Sequence, residues 1–115
     1  MKFSAVVLIV PDEGENRAVE LLQQAGATGF TIIKGKGLRH NERKTFLGLG
    51  LERKESLLLC VTEQQLAMRI LRAVKLQMKL DLPGGGLAFS IALGSVVGIG
   101  LEQMKLFRRE VEEGL

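Results

Sequence analysis

The sequence contains neither Trp nor Tyr, and its five Phe bring the aromatic content to only 4%. Proteins that bind single-stranded nucleic acids usually stack the bases on aromatic side chains, so we expect no nucleic-acid partner. The chain also has a single His, His40, and a single Cys, Cys60. It therefore cannot build a metal centre from several His and Cys ligands, and we predict neither a metal site nor a disulfide framework.

The charge and the length set further bounds. Lys and Arg number 16 against 13 Asp and Glu, which gives a net charge of +3 and permits an anionic partner without requiring one. The apolar stretch "FSAVVLIV" near the start is too short to span a bilayer and is not followed by a small-residue cleavage site. We therefore expect a cytoplasmic protein, with residues 1–115 forming one domain.

Short apolar runs and helical patterns alternate along the chain. Strands are predicted where the runs are short and rich in aliphatic residues, at 3–10, in "TGFTIIKGKG", at 55–62 and at 87–93. Helices are predicted where apolar residues recur every three or four positions, over 14–25, 63–79 and 101–115. The acids Asp12, Glu13 and Glu15 fit the start of the first helix, where the helix dipole favours negative charge.

This order, β-α-β-β-α-β with a C-terminal helix, predicts a fold of the α+β class, a ferredoxin-like sandwich with both helices on one face of an antiparallel four-stranded sheet. The other face of that sheet is aliphatic and would be left open. We expect a partner to cover it, and self-association into a closed ring is the simplest way to do so.

The stretch 38–53 fits neither a helix nor a strand period and is predicted to be an exposed excursion between two strands. Its cations, Arg39, Arg43 and Lys44, and His40 beside them are candidates for contact with a partner or ligand, because long excursions in compact domains are often functional. A solvated His40 is favoured over an acid-base group, and enzyme activity is not expected.

The stretch "DLPGGGLAF" places Gly84, Gly85 and Gly86 in succession before the last strand. Glycine is the commonest turn residue, so a tight turn is the simpler interpretation. The alternative is a loop whose backbone N–H groups bind an anion such as phosphate.

The order of the elements and the position of the glycines resemble the P-II signal-transduction family. "GATGFTIIKGKG" resembles that family's second strand, which leads into a long loop called the T-loop, and "DLPGGGLAF" lies where the family has its glycine-rich B-loop. The resemblance covers residues 1 to about 100. It implies a homotrimer that binds ATP or ADP in the clefts between subunits.

The resemblance also implies roles for individual residues. Gly29, Phe30 and Thr31 would lie near the adenine, and Lys36 and Gly37 at the root of the T-loop. Gly84, Gly85 and Gly86 would bind the phosphates, in agreement with the anion-binding interpretation. AMP is a further candidate effector.

The chain departs from the family pattern in ways that affect ligand binding. Leu87 stands where the family has a lysine directly after the B-loop, and "GSVVGIG" has no cation where the family carries arginine. We therefore expect weaker phosphate binding, unless Arg39, Arg43 and Lys44 compensate. The excursion contains no tyrosine to be modified, so control by uridylylation is not expected.

Three functions follow in order of preference. The first is a regulatory protein that binds an adenine nucleotide and controls a membrane transporter or metabolic enzyme through its loop. The second is a trimeric interaction module of the same fold without a nucleotide site, similar to the copper-tolerance proteins. The third is a small enzyme that uses His40.

Overall fold

A computed structural model describes residues 1–37, 45–46, 49–50, 53–82 and 84–114. The elements follow one another in the order β1 (Phe3–Pro11), a 3-10 turn (Asp12–Gly14), α1 (Glu15–Gln24), β2 (Thr31–Gly37), β3 (Thr45–Phe46), β4 (Leu49–Gly50), β5 (Arg53–Glu63), α2 (Gln64–Gln77), β6 (Leu87–Leu93) and α3 (Leu101–Gly114).

Four of the strands form one antiparallel sheet in the order β2-β5-β1-β6. Each connection that carries a helix skips one strand, which is the split arrangement of a ferredoxin-like fold. The predicted α+β class and the ferredoxin-like arrangement are therefore confirmed. The described part of the excursion adds β3 and β4, which pair with each other in a separate two-stranded sheet.

The core lies between one face of the sheet and the helices α1 and α2. Strands alternate their side chains between two faces, and the helix-facing positions of β1 and β5 are aliphatic. They pack against apolar positions of the two helices to give the buried cluster Val6, Leu8, Val10, Ala18, Leu21, Leu22, Ala25, Leu58, Cys60, Ala67, Ile70 and Val74.

The opposite face of the sheet is also apolar but is only partly covered. We call it the open face. Apolar side chains on this face lie next to one another across all four strands. One such row consists of Leu87 of β6, Ile9 of β1, Leu57 of β5 and Ile33 of β2, each paired with the next. At the outer strands Ile33, Leu87 and Ile91 remain 50%, 52% and 51% exposed. An apolar surface of this kind is typical of an interface.

The helix α2 begins at a defined cap. Glu63 is extended, and its carboxylate accepts hydrogen bonds from the backbone amides of Gln65 and Leu66 at 2.7 and 3.2 Å. These bonds satisfy two of the amides that have no partner within the first helical turn. The predicted start of this helix at residue 63 is thus one residue early, at the cap itself.

The C-terminal helix α3 packs on its own chain. Phe107 is buried, and its ring meets that of Phe3 edge to face with the centroids 6.1 Å apart. This geometry is favoured between aromatic rings and fixes α3 against the start of β1.

The predicted excursion was too long at its C-terminal end. Arg53 belongs to β5, where it pairs with Gly37 at the end of β2. Strand pairing therefore begins two residues before the predicted start of this strand at residue 55, because Lys54 and Arg53 pair with Lys36 and Gly37 of β2.

Candidate functional site

The chain reverses direction between α2 and β6 in two successive turns. The amide of Leu82 donates to the carbonyl of Lys79 at 3.0 Å, and the amide of Gly85 donates to the carbonyl of Leu82 at 3.1 Å. Lys79, Gly84 and Gly86 have positive φ values of 53°, 78° and 121°. A positive φ favours glycine, because other residues have a Cβ that makes it unfavourable. We call Gly84, Gly85 and Gly86 the glycine loop.

Two glycines of this loop are required by its close approach to other backbone atoms. A Cβ on Gly85 would lie 2.7 Å from the carbonyl oxygen of Lys79, and one on Gly86 would lie 2.5 Å from that of Ile9. The turn interpretation therefore accounts for both residues, and the amide of Gly85 is already used within the turn. Binding of an anion by this loop stays a prediction.

Arg53 contacts the glycine loop from the start of β5. Its Nη2 donates to the carbonyl oxygen of Gly84 at 3.2 Å, and its Nη1 lies 3.4 Å from the position that a Cβ on Gly84 would occupy. A guanidinium group therefore lies directly against the predicted phosphate-binding glycines. The sequence pattern places Arg53 at the end of the excursion and does not predict this contact.

Gly37 and Arg53 are paired where the chain leaves β2 and enters β5, and we call this pair the neck of the excursion. A Cβ on Gly37 would collide with the carboxylate of Glu55, so only glycine fits there without displacing that side chain. Lys36 pairs with Lys54 one position further into the sheet and is exposed. The predicted residues Lys36 and Gly37 thus lie at the same end of the sheet as the glycine loop.

The remaining predicted ligand residues lie at the other end of β2. Thr31 begins the strand and is exposed, Gly29 precedes it in open space, and Phe30 packs against the edge of the core. Thr31 and Gly37 are six positions apart in β2, which at about 3.3 Å per position is a distance of roughly 20 Å. One chain therefore does not bring the two groups of predicted site residues together.

The predicted partner-binding residues Arg39, His40, Arg43 and Lys44 lie outside the described residues.

A cluster of charges that was not predicted lies near the neck, on the helix-facing side of the sheet. Lys34 Nζ is 2.5 Å from Asp12 Oδ1 and 2.5 Å from Glu15 Oε1. It also donates to the buried hydroxyl of Ser56 at 3.3 Å. The cluster joins β2, β5 and the turn that leads into α1.

The Ser56 hydroxyl lies within hydrogen-bond distance of both carboxylates, 2.8 Å from Asp12 Oδ1 and 2.7 Å from Glu15 Oε1. A hydroxyl has one proton and can donate to only one of them at a time. The ammonium of Lys34 and this hydroxyl lower the pKa of both carboxyl groups, and the two carboxylates raise the pKa of Lys34. Asp12 and Glu15 therefore do more than favour the start of α1.

The signal for this cluster was present in the sequence. Ser56 is a small polar residue on the helix-facing side of β5, directly before the apolar run, and Lys34 follows two isoleucines in β2. The pairing of Lys34 with Ser56 across the sheet could not be known before the register was known.

Cys60 lies in the core, 4% exposed, and burial raises the pKa of its thiol to about 11. A thiol of this kind is unreactive at neutral pH. Within the described residues, no group of three or more His, Cys, Asp or Glu side chains is arranged to hold a metal ion. None of the described helices is both long and apolar enough to cross a membrane.

The family model for the nitrogen regulatory protein P-II matches residues 3–103, from the first strand into the last helix. The chain belongs to the P-II family. This match confirms the resemblance found in the second strand and the glycine loop. Among curated proteins, no sequence matched this P-II chain.

Solved structures with the same fold include both P-II-like and CutA1 proteins. GlnK of B. subtilis, solved as a complex with ATP, is 16% identical over 85% of this chain and 87% of its own, with a TM-score of 0.63. CutA1 from Pyrococcus horikoshii is 17% identical over 93% and 96%, with a TM-score of 0.67. CPII from Thiomonas intermedia, solved with ADP and bicarbonate, is 17% identical over 83% and 91%, with a TM-score of 0.58. At these identities the likeness establishes the fold.

Proposed function

We propose that this P-II family member is a homotrimeric regulatory protein that binds an adenine nucleotide between its subunits and thereby controls a partner through the excursion. The observation that carries the proposal is the contact between Arg53 and Gly84, which joins the glycine loop to the neck of the excursion. A ligand at the glycine loop would thus act on the residue from which the excursion returns to the sheet.

The trimer is supported by two features of the chain. The open face leaves Ile33, Leu87 and Ile91 about half exposed, and association with two further copies would bury them. The predicted ligand residues fall into two groups roughly 20 Å apart along β2. A single nucleotide would reach both groups if Gly29, Phe30 and Thr31 came from a neighbouring subunit.

The nucleotide is supported by the family and by two structural neighbours that were solved with ATP and with ADP. ATP, ADP and AMP are all candidate effectors. In this proposal Gly84 and Gly86 lie near the phosphates with Lys36 and Gly37 at the root of the excursion. Gly85 shapes the loop, because its own amide serves the turn.

The regulated partner is a membrane transporter or a metabolic enzyme, contacted by Arg39, His40, Arg43 and Lys44 of the excursion. Nitrogen regulation is the process that the family description suggests. The protein itself acts in the cytoplasm, without catalysis and without a bound metal. A ligand can change the excursion only by binding its two states with different affinity.

A second function is favoured by the absence of the expected cations. Leu87 replaces the B-loop lysine, no cation occurs in residues 94–100, and a CutA1 protein shares the fold over 93% of the chain. These observations support a trimeric interaction module without a nucleotide site.

Calorimetric titration of the purified protein with ATP, ADP and AMP separates the two functions. Heat of binding to at least one nucleotide, with up to one site per subunit, is expected for the regulatory protein. Intact trimers that release no heat with any of the three would rule out the nucleotide site and favour the interaction module.

A further inference from the structure

The glycine loop has a cation beside it that does not come from the loop itself. Both terminal nitrogens of Arg53 face the loop, Nη2 bonded to the carbonyl oxygen of Gly84 at 3.2 Å and Nη1 next to the bare Cα of that residue. The side chain arrives from β5, across the end of β1, and its contact spans 31 positions of the sequence.

This position matters because the loop's own sequence provides no basic side chain. Gly84, Gly85 and Gly86 are followed by Leu87, which lies in β6 and is half exposed on the open face. A phosphate bound by backbone amides alone would face only partial positive charges and no full positive charge. Charge-assisted hydrogen bonds are roughly twice as strong as neutral ones, so a nearby cation has a large effect on affinity.

We infer that Arg53 is the residue that contacts the phosphate of a nucleotide at the glycine loop, in place of the lysine that this loop lacks. The inference rests on the proposed function and names the side chain that supplies a positive charge to the phosphate. A guanidinium group has five N–H donors in a planar fork, so it can hold the carbonyl of Gly84 and also present donors to phosphate oxygens. Arg53 has other interactions within the chain, and the fork geometry allows several partners at once.

The position of Arg53 at the neck gives this contact a regulatory consequence. Arg53 is the first residue of β5 and pairs with Gly37, the last residue of β2, so the two together close the excursion. A phosphate bound by the guanidinium would hold the side chain of Arg53, and with it the first residue of β5, at the glycine loop. Nucleotide binding and the arrangement of the excursion are thereby coupled through one side chain.

The test compares Arg53→Gln with Arg53→Lys and with Arg72→Gln, a control at an exposed arginine on α2. ADP affinity is measured by calorimetry at low and at high salt. Arg53→Gln should lower the affinity at least about tenfold at low salt, which is the effect of losing one charge-assisted bond. It should also weaken the salt dependence, whereas Arg53→Lys and Arg72→Gln should retain that dependence.

Two results would overturn the inference while leaving the proposed function intact. One is unchanged ADP affinity and salt dependence in Arg53→Gln. The other is an equal loss in Arg53→Gln and Arg53→Lys with the salt dependence of the parent, which would indicate that Arg53 only holds the loop in shape. A parent protein that binds none of ATP, ADP and AMP would instead overturn the proposed function and the inference together. Thermal unfolding and oligomer size of each variant establish that it is folded.

Discussion

Lys34 Nζ on β2 lies 2.5 Å from Oε1 of Glu15 in the first turn of α1, so an ion pair joins the strand that leads to the excursion to the helix that covers the sheet. The same ammonium contacts Asp12, and the buried hydroxyl of Ser56 lies between the carboxylates. These contacts tie three elements together at one corner of the fold.

The first prediction concerns the pH dependence of stability. The lowered pKa values of Asp12 and Glu15 stabilise the fold fully above their ordinary values of 3.8 and 4.5, and this contribution is lost as pH falls through the lower folded values. The raised pKa of Lys34 acts in the opposite direction, so its contribution is complete below 10.5 and is lost as pH rises through the higher folded value.

Lys34→Met should therefore lower the midpoint of urea unfolding at neutral pH, because two neighbouring carboxylates lose their counter-charge. It should also flatten both the acid limb below about pH 4.5 and the alkaline limb above about pH 10.5. Lys2→Met removes an exposed lysine away from the cluster and is the control. An acid limb as steep in Lys34→Met as in the parent would contradict this account of the cluster.

The second prediction separates the glycines by their surroundings. Gly86→Ala should lower the free energy of unfolding by about 1–3 kcal/mol or more, because its φ of 121° is unfavourable for alanine and the new Cβ would lie 2.5 Å from a backbone oxygen. Gly94→Ala should change the free energy of unfolding by less than about 0.5 kcal/mol. A Cβ on Gly94 would have no neighbouring atom within 4 Å, and the φ of this residue is not positive. Urea unfolding measures both, and equal stabilities would show that the turn tolerates a side chain.

The elements were largely predictable because their patterns are local. The last strand was predicted at 87–93 and lies there, since "LAFSIAL" is bounded by glycines on both sides. The start of β5 was placed at residue 55 and lies at Arg53, because the pairing with Gly37 that extends it involves a residue sixteen positions away. The pattern of residues within one strand does not predict its pairing with a distant residue.

The site was less predictable for the same reason. The role proposed for Arg53 depends on a contact with Gly84 across the end of the sheet, and the cluster around Lys34 depends on the register of Lys34 with Ser56. The resemblance named Gly29, Phe30 and Thr31 together with the glycine loop, and the fold separates these groups along β2. In the proposed trimer a neighbouring subunit would bring the two groups together, and the pattern of a single chain does not predict such a contact.

The third prediction concerns the open face. Ile91→Asp should convert the proposed trimer into monomers without unfolding it, because Ile91 is 51% exposed in the single chain and would be buried against a neighbour. Leu76→Asp on α2, where the side chain is 76% exposed on the helical side, is the matched control and should leave the mass unchanged. Light scattering after gel filtration gives the mass, and a trimeric Ile91→Asp would exclude this face as the interface.

The fourth prediction concerns Cys60. With a pKa of about 11 and 4% exposure, its thiol should react with a water-soluble disulfide reagent much more slowly in the folded protein than in denaturant. Comparison of the two rates in one preparation provides the control. Rapid reaction of the folded protein would mean that β5 opens easily to solvent.

The fifth prediction restores the missing cation. Leu87→Lys places an ammonium directly after the glycine loop, at a side chain that is 52% exposed in the single chain and lies on the open face. Light scattering must therefore show that the variant keeps the mass of the parent before affinities are compared. If the loop binds phosphate, the variant should bind ADP about ten times more tightly or better, since a charge-assisted hydrogen bond contributes about 1.5–3 kcal/mol. Calorimetry measures the affinity, and Leu87→Gln controls for the loss of the apolar side chain at the open face. Equal ADP affinity in the lysine and glutamine variants would mean that no phosphate lies at this end of the glycine loop, whatever else the protein binds.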